Sequence, residues 1–270
     1  MERSPLKTVA VKHVQLHSRF LKRDLHIDFY LPRAIDGRDA LSLLLINDGQ
    51  DLPKMNFSEM LNDLADEGRL RPVLCVGIHA GHERKMEYGT ANEADYNGRG
   101  AKAKCYEQFV LNELLPYIKT AYGVSTFQQM AFAGFSLGGL MALDIAWNYP
   151  ELFSIAAVFS GSLWWRSKAL HNGYNEATDR IMHKQIRKGF YKPHQKFYFT
   201  TGSLDETSDR NNNGIIDSID DTLDLIEELK KLGYTDDAIC YINYDDGKHD
   251  VQTWGRTMPQ FLTWAFGSQQ

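Results

Sequence analysis

Along this 270-residue chain, short apolar runs alternate with longer segments whose apolar positions recur every three or four residues. Near the start, Leu25, Ile27, Phe29 and Leu31 alternate with His26, Asp28 and Tyr30. A two-residue period buries one face of a strand and leaves the other polar, so Val9–His17 and Leu25–Leu31 are expected to form an antiparallel pair. Leu41–Ile46 is apolar throughout, as a strand covered on both faces must be. Val73–Ile78, Met130–Ala133, Ile155–Phe159, Lys196–Thr200 and Ala238–Asn243 are read as further strands. Helices are expected over Phe57–Glu67, Leu137–Trp147, Thr222–Leu232 and Trp254–Phe266. Another carries Tyr106, Val110, Leu114 and Ile118 on one face. Pro116 should bend that helix or shift its register near the end. Strands alternating with helices predict an α/β fold: a mostly parallel central sheet, helices on both faces, and antiparallel strands at the N-terminal edge. Residues 1–270 are read as one domain, with a lid-like, irregular insert around 162–193.

Between the strand ending at Ala133 and the helix from Leu137 stands Gly134-Phe-Ser-Leu-Gly138, which fits G-x-S-x-G, the nucleophile elbow of α/β-hydrolases. The pattern arises by chance in roughly one chain in ten of this length, so its placement between strand and helix is what gives it weight. A serine on so tight a turn is strained, and flanking glycines remove side chains that would collide with neighbouring backbone. Its hydroxyl then stands at a helix N-terminus, where free N–H groups stabilise a developing oxyanion.

A serine nucleophile needs a base, and the base needs an acid to hold it. In this fold the partners follow the serine in the order acid, then histidine, each after a later strand. The loop after Lys196–Thr200 offers Asp205, with Glu206 and Asp209 as fallbacks. The loop after Ala238–Asn243 offers His249, the only histidine downstream of the acid loop. His13, His17 and His26 are expected on the surface of the opening strands, and His79 and His82 near the pocket. The oxyanion donors are expected to be the N–H groups of Leu137 and Gln50. Trp164 and Trp165 are candidates for the pocket wall.

Asn47-Asp-Gly-Gln-Asp51, Glu113-Leu-Leu-Pro-Tyr-Ile118, Ala133-Gly-Phe-Ser-Leu-Gly-Gly139, Phe159-Ser-Gly-Ser-Leu-Trp-Trp165 and Gly247-Lys-His249 with Trp254 together resemble the esterase D and enterochelin esterase-like family of α/β-hydrolases. The resemblance runs from about Leu25 to Phe266. It implies a serine esterase with a Ser136–His249–Asp205 triad, acting through an acyl-enzyme on an acyl, sugar-acyl or aromatic ester, with no catalytic cofactor. Gly202-Ser-Leu-Asp205 is similar to the family's acid loop, which favours Asp205 over Glu206. An acyltransferase of the same family, or an inactive binding protein on the same fold, would share most of these residues.

One motif lies outside that scheme. Asp209-Arg-Asn-Asn-Asn-Gly-Ile-Ile-Asp-Ser-Ile-Asp220 fits the calcium-loop pattern of EF-hands, with Asp in place of the closing Glu. Asp209, Asn211 and Asn213 would offer side-chain oxygens, Ile215 its carbonyl and Asp217 a contact through water, with Asp220 closing a structural calcium site. The competing reading is a polar turn capping the following helix.

Composition narrows the partners. A net charge of −5 without a basic run argues against nucleic acid, and no segment has the apolar length of a membrane span. A small-molecule ester is the expected partner. Met1–Lys7 lacks the apolar core of a signal peptide, so a cytoplasmic protein is expected unless a leader has been removed. Three cysteines without C-x-x-C spacing read as free thiols.

Overall fold

The computed structural model describes residues 8–32 and 41–268; the reading of Met1–Lys7 lies outside them. Among the described residues, eight strands form one sheet in the order β1-β2-β4-β3-β5-β6-β7-β8. These are β1 (Ala10–Ser18), β2 (Arg23–Leu31), β3 (Ser42–Asn47), β4 (Val73–Ile78), β5 (Met130–Phe135), β6 (Ile155–Phe159), β7 (Lys196–Leu204) and β8 (Ile239–Lys248). β1 and β2 pair antiparallel, β2 meets β4 antiparallel, and every pairing from β4 to β8 is parallel. The expected architecture, including its antiparallel edge, is the one found.

The parallel core explains the uninterrupted apolar runs. β3, β4, β5 and β6 are buried at every position. Successive side chains point to opposite faces, so Phe132 joins one apolar layer while Ala131 and Ala133 join the other. α1 (Phe57–Asp66) and α9 (Val251–Phe266) contribute to the second layer through Phe57, Leu61, Trp254 and Phe261. The first layer takes residues of α3 (Ala103–Phe109), α4 (Leu115–Tyr122), α5 (Leu137–Asn148), α7 (Ile181–Arg187) and α8 (Asp217–Lys231). α2 (Arg84–Glu87) and α6 (Glu176–Asp179) are single turns within connections.

Three departures from the sequence reading have physical causes. Pro116 cannot donate to the carbonyl four residues back, and its ring crowds that carbonyl. The chain responds with a π-helical turn over Val110–Leu114, so that Pro116 falls in the first turn of α4. The register shift therefore precedes the proline. Second, β7 and β8 outrun their expected ends because Gly202 and Gly247, which read as loop signals, let the two backbones approach too closely for a Cβ. The pairing is irregular there, between Gly202 and Leu204. Third, the insert 162–193 is not irregular throughout: Ile181, Met182 and Ile186 of α7 are buried against the core.

Candidate active site

Ser136 follows β5 directly and precedes α5, with φ 54° and ψ −121°. That backbone is disfavoured for any residue with a Cβ and marks a strained turn. The glycines around it are required sterically. A Cβ on Gly134 would overlap the Gly138 carbonyl, and one on Gly138 would stand 2.6 Å from Asp48 Oδ2. The turn is held to the strand and loop beside it by backbone bonds: Ser136 N–H donates to Phe159 O at 2.9 Å, and Ser162 N–H donates to Ser136 O at 3.1 Å. The Ser136 hydroxyl lies 3.4 Å from that of Ser162. Leu137 opens α5, so its N–H belongs to a first turn, where helical acceptors are lacking.

The loop after β3 is clamped onto this elbow. Asn47 Nδ2–H donates to Gly138 O at 2.8 Å, and the Tyr106 hydroxyl donates to Asn47 Oδ1. Asp48, itself left-handed at φ 60°, accepts from Arg84 Nε and Nη2 at 2.7 Å each. Gln50 lies in the first turn of a 3-10 helix, Gly49–Met55, and its Oε1 accepts from Ala80 N–H at 2.9 Å. Its side chain thus ties the segment after β3 to the loop after β4.

The acid and base candidates come from adjoining strand ends. Asp205 Oδ1 accepts from the Ser160 hydroxyl at 3.1 Å, and Oδ2 from Gly202 N–H at 3.0 Å. Burial raises the Asp205 pKa; its two hydrogen bonds and the charge of His249 oppose that rise. His249 sits between β8 and α9, its ring packed edge-on against Trp254 at 5.2 Å and 81°. Loss of water around the ring lowers its pKa, against the raising effect of Asp205, while the Arg84 charge adds to the lowering. The ring of His249 makes no hydrogen bond among the described residues, so none links it to Ser136 or Asp205. Catalytic hydrogen bonds often tighten only once substrate is present. His79 is used elsewhere: its Nε2–H donates to Asp28 Oδ2 at 2.8 Å, beside His13 on the β1–β2 edge.

A cavity of ≈ 430 Å³ adjoins the acid loop, with Tyr96, Arg99, Trp164, Arg166 and Glu206 in its wall. Arg99 stacks over the Trp164 ring at 4.8 Å and is paired with Asp95. Arg166 packs on Tyr96 at 5.1 Å. Trp165 corrects an expectation: it is fully buried, wedged where a Cβ on Gly89 or Gly100 would strike it. Of the two tryptophans only Trp164 lines the cavity.

In the 209–220 loop, Asp209 accepts backbone N–H bonds from Asn213 (3.1 Å) and Gly214 (2.9 Å). Asn211 and Asn213 donate their side-chain amides to Asp220 at 2.8 and 3.1 Å. Those four side chains converge. Asp217 departs from the expected ligand set, because its Oδ1 accepts from the Arg210 backbone at 2.9 Å and pairs with the guanidinium at 3.1 Å. Ile215 is bound through its N–H to Asn213 Oδ1 at 2.8 Å. Among the described residues no group of three or more His, Cys, Asp or Glu could hold a metal ion; this loop brings two carboxylates and two amides.

The family described as "Putative esterase" matches residues 18–265. The chain belongs to this esterase family. It is 23% identical to the uncharacterized protein YbbA of Bacillus subtilis, over 83% of this chain and 85% of that one. Among solved structures it is similar to the enterobactin esterase FES from Shigella flexneri in the presence of 2,3-dihydroxy-N-benzoyl-glycine, with 21% identity and a TM-score of 0.70 over 96% of this chain. The chain spans 60% of the length of that enzyme. A ferulic acid esterase matches with 17% identity and a TM-score of 0.70, covering 96% and 98% of the two chains. The siderophore hydrolase EstB from Aspergillus nidulans gives the same identity and score, with 95% of each covered. At such identities these structures establish the fold, which agrees with the family. No helix among the described residues is long and apolar enough to cross a membrane.

Sequence reasoning overlooked several residues of this esterase-family site. Asp48 and Arg84 are of types ordinary for loops, yet form the bidentate pair that pins the loop before Gln50. Ser160 was visible only as part of a motif; its φ of 47° places it among the few non-glycine residues with a left-handed backbone. Neither feature has a signal in apolar periodicity.

Proposed function

We propose that this chain is a serine carboxylic-ester hydrolase working through an acyl-enzyme, with Ser136 as nucleophile, His249 as base and Asp205 as acid. The observation that carries the reading is the Ser136 backbone at φ 54° and ψ −121°, on a glycine-walled turn between β5 and α5. In this mechanism His249 Nε2 takes the Ser136 proton as Oγ attacks the ester carbonyl. The oxyanion is held by the N–H groups of Leu137 and Gln50. The imidazolium, stabilised by the Asp205 charge, returns its proton to the departing alcohol. Water activated by His249 then releases the acid and regenerates Ser136.

The substrate is an aromatic or acyl ester of small size. Trp164 offers an indole face in a cavity beside Glu206, flanked by Arg99 and Arg166. An aryl ester stacked there would have its ring held by dispersion and its polar substituents by guanidinium groups. The names of the enterobactin and ferulic acid esterases agree with such a substrate. Ser136→Ala is expected to abolish turnover of p-nitrophenyl acyl esters with an unchanged circular dichroism spectrum. Retained turnover in that variant would sink the assignment.

The proposal includes a structural calcium ion held by Asp209, Asn211, Asn213, Asp220 and the Ile215 carbonyl, with Asp217 committed to Arg210. Oxygen-rich amide and carboxylate side chains suit a hard cation, and aspartate at the closing position makes the site weaker than one closed by glutamate.

A further inference from the structure

We propose that Trp254 and Ser160 are positioning residues that hold the acid Asp205 in register with His249 and the elbow; the role rests on the triad assignment above. The direction of the hydrogen bonds follows from chemistry. Trp254 Nε1 lies 3.1 Å from Ser160 Oγ, and an indole N–H can only donate. The Ser160 hydroxyl therefore accepts from the indole and has one proton left to give. Asp205 Oδ1, 3.1 Å away, is the acceptor that receives it. With Gly202 N–H on Oδ2 at 3.0 Å, both carboxylate oxygens are pinned and the plane of the group is fixed.

The same indole touches the other two arms of the site. It meets the His249 ring edge-on at 5.2 Å and stacks on Phe135, the residue before Ser136, at 5.1 Å and 19°. Trp254 is nearly buried, and the start of its helix is fixed by reciprocal bonds. Asp250 Oδ1 accepts from Thr253 N–H at 2.8 Å, and Thr253 Oγ1 accepts from Lys248 N–H at 3.0 Å. His249 is held between those two bonds. One side chain thus relates nucleophile, base and acid, and Ser160 is the hydroxyl that carries the relation to Asp205. A glycine at 160 would adopt φ 47° without strain, so the hydroxyl is what serine adds at this position.

The test uses Trp254→Phe, Ser160→Gly, Asp205→Asn and the Ser160→Gly/Asp205→Asn double variant. The readouts are steady-state p-nitrophenyl butyrate kinetics and the rate at which a fluorophosphonate labels Ser136. Trp254→Phe keeps an aromatic ring in the core but removes the donor together with part of the indole's volume, so a modest fall in melting temperature is expected there; Ser160→Gly suits the backbone, so its melting temperature should be unchanged and it is the decisive variant. Each should lower kcat and the labelling rate by between about tenfold and about a hundredfold, as misplacing a catalytic group does. KM should stay within about twofold. In the Asp205→Asn background the Ser160→Gly loss should vanish, because the hydroxyl acts only through the carboxylate. Wild-type kcat in Ser160→Gly, or losses that multiply in the double variant, overturn the positioning role while leaving the hydrolase reading intact. A wild-type protein that neither turns over esters nor labels at Ser136 removes the hydrolase reading and this one with it.

Discussion

His249 stands against Trp254 with part of its ring shielded from water, and shielding favours the neutral imidazole that a general base needs. The Asp205 charge pulls the other way without overcoming it. The acid limb of kcat/KM for an ester is therefore expected at a pKa below the ordinary histidine value of 6.5. A limb at or above that value in a pH–rate profile would contradict the balance described. Asp144 behaves oppositely. It is fully buried in α5, accepting from Ala91 N–H and Gln185 Nε2–H at 2.8 and 2.9 Å, yet burial still raises its pKa to about 6. Its folded pKa exceeds its unfolded one, so the folded state keeps a proton that the unfolded chain has lost. The resulting stability is complete below about pH 4 and is lost as pH rises through about 6, roughly 3 kcal/mol in all. Denaturant titrations at pH 4.5 and 7 should show this slope in the wild type and a flatter one in Asp144→Asn. Equal slopes would exclude it.

At the scale of elements, the elbow and the loop after β3 behave as one unit. Gly138→Ala would drive a methyl against Asp48 Oδ2, which Arg84 holds in place, and against Asn47. It should cost about 1–3 kcal/mol of stability, and displacement of the Asn47–Gln50 loop, the proposed source of an oxyanion donor, should lower kcat by about a hundredfold. Urea melts and ester kinetics on that variant check both. The 209–220 loop makes a separate prediction: calcium should raise the melting temperature and a chelator should reverse the rise, whereas no shift in either direction removes the ion. Legibility differed between these elements for physical reasons. The elbow was readable because its strand, turn and helix are contiguous and each carries its own pattern. The Asp48–Arg84 clamp was not, since it joins residues far apart in sequence whose types are ordinary for loops. The ends of β7 and β8 were misread because Gly202 and Gly247 look like turns in isolation. Only their pairing shows that missing side chains let the strands continue.

For the whole molecule, the parallel sheet sets which loops can meet. β3, β5, β6, β7 and β8 run the same way, so the segments bearing Gln50, Ser136, Ser160, Asp205 and His249 leave the sheet at one edge. Ligands of open α/β sheets bind there. This much followed from the order of apolar runs alone, because continuous runs imply strands covered on both faces and hence helical crossovers. Trp165 shows where such reasoning stops. A tryptophan after a strand at the correct edge suits a pocket or a core equally, and only Gly89 and Gly100, brought beside it by the 79–100 loop, decide for the core. The claim on which the functional account depends is that Ser136 is the nucleophile. Its most direct measurement is mass spectrometry of the protein after reaction with a fluorophosphonate. A single adduct is expected on the peptide containing Ser136, formed far more slowly in His249→Ala. No adduct at Ser136, with ester turnover surviving in Ser136→Ala, would contradict it.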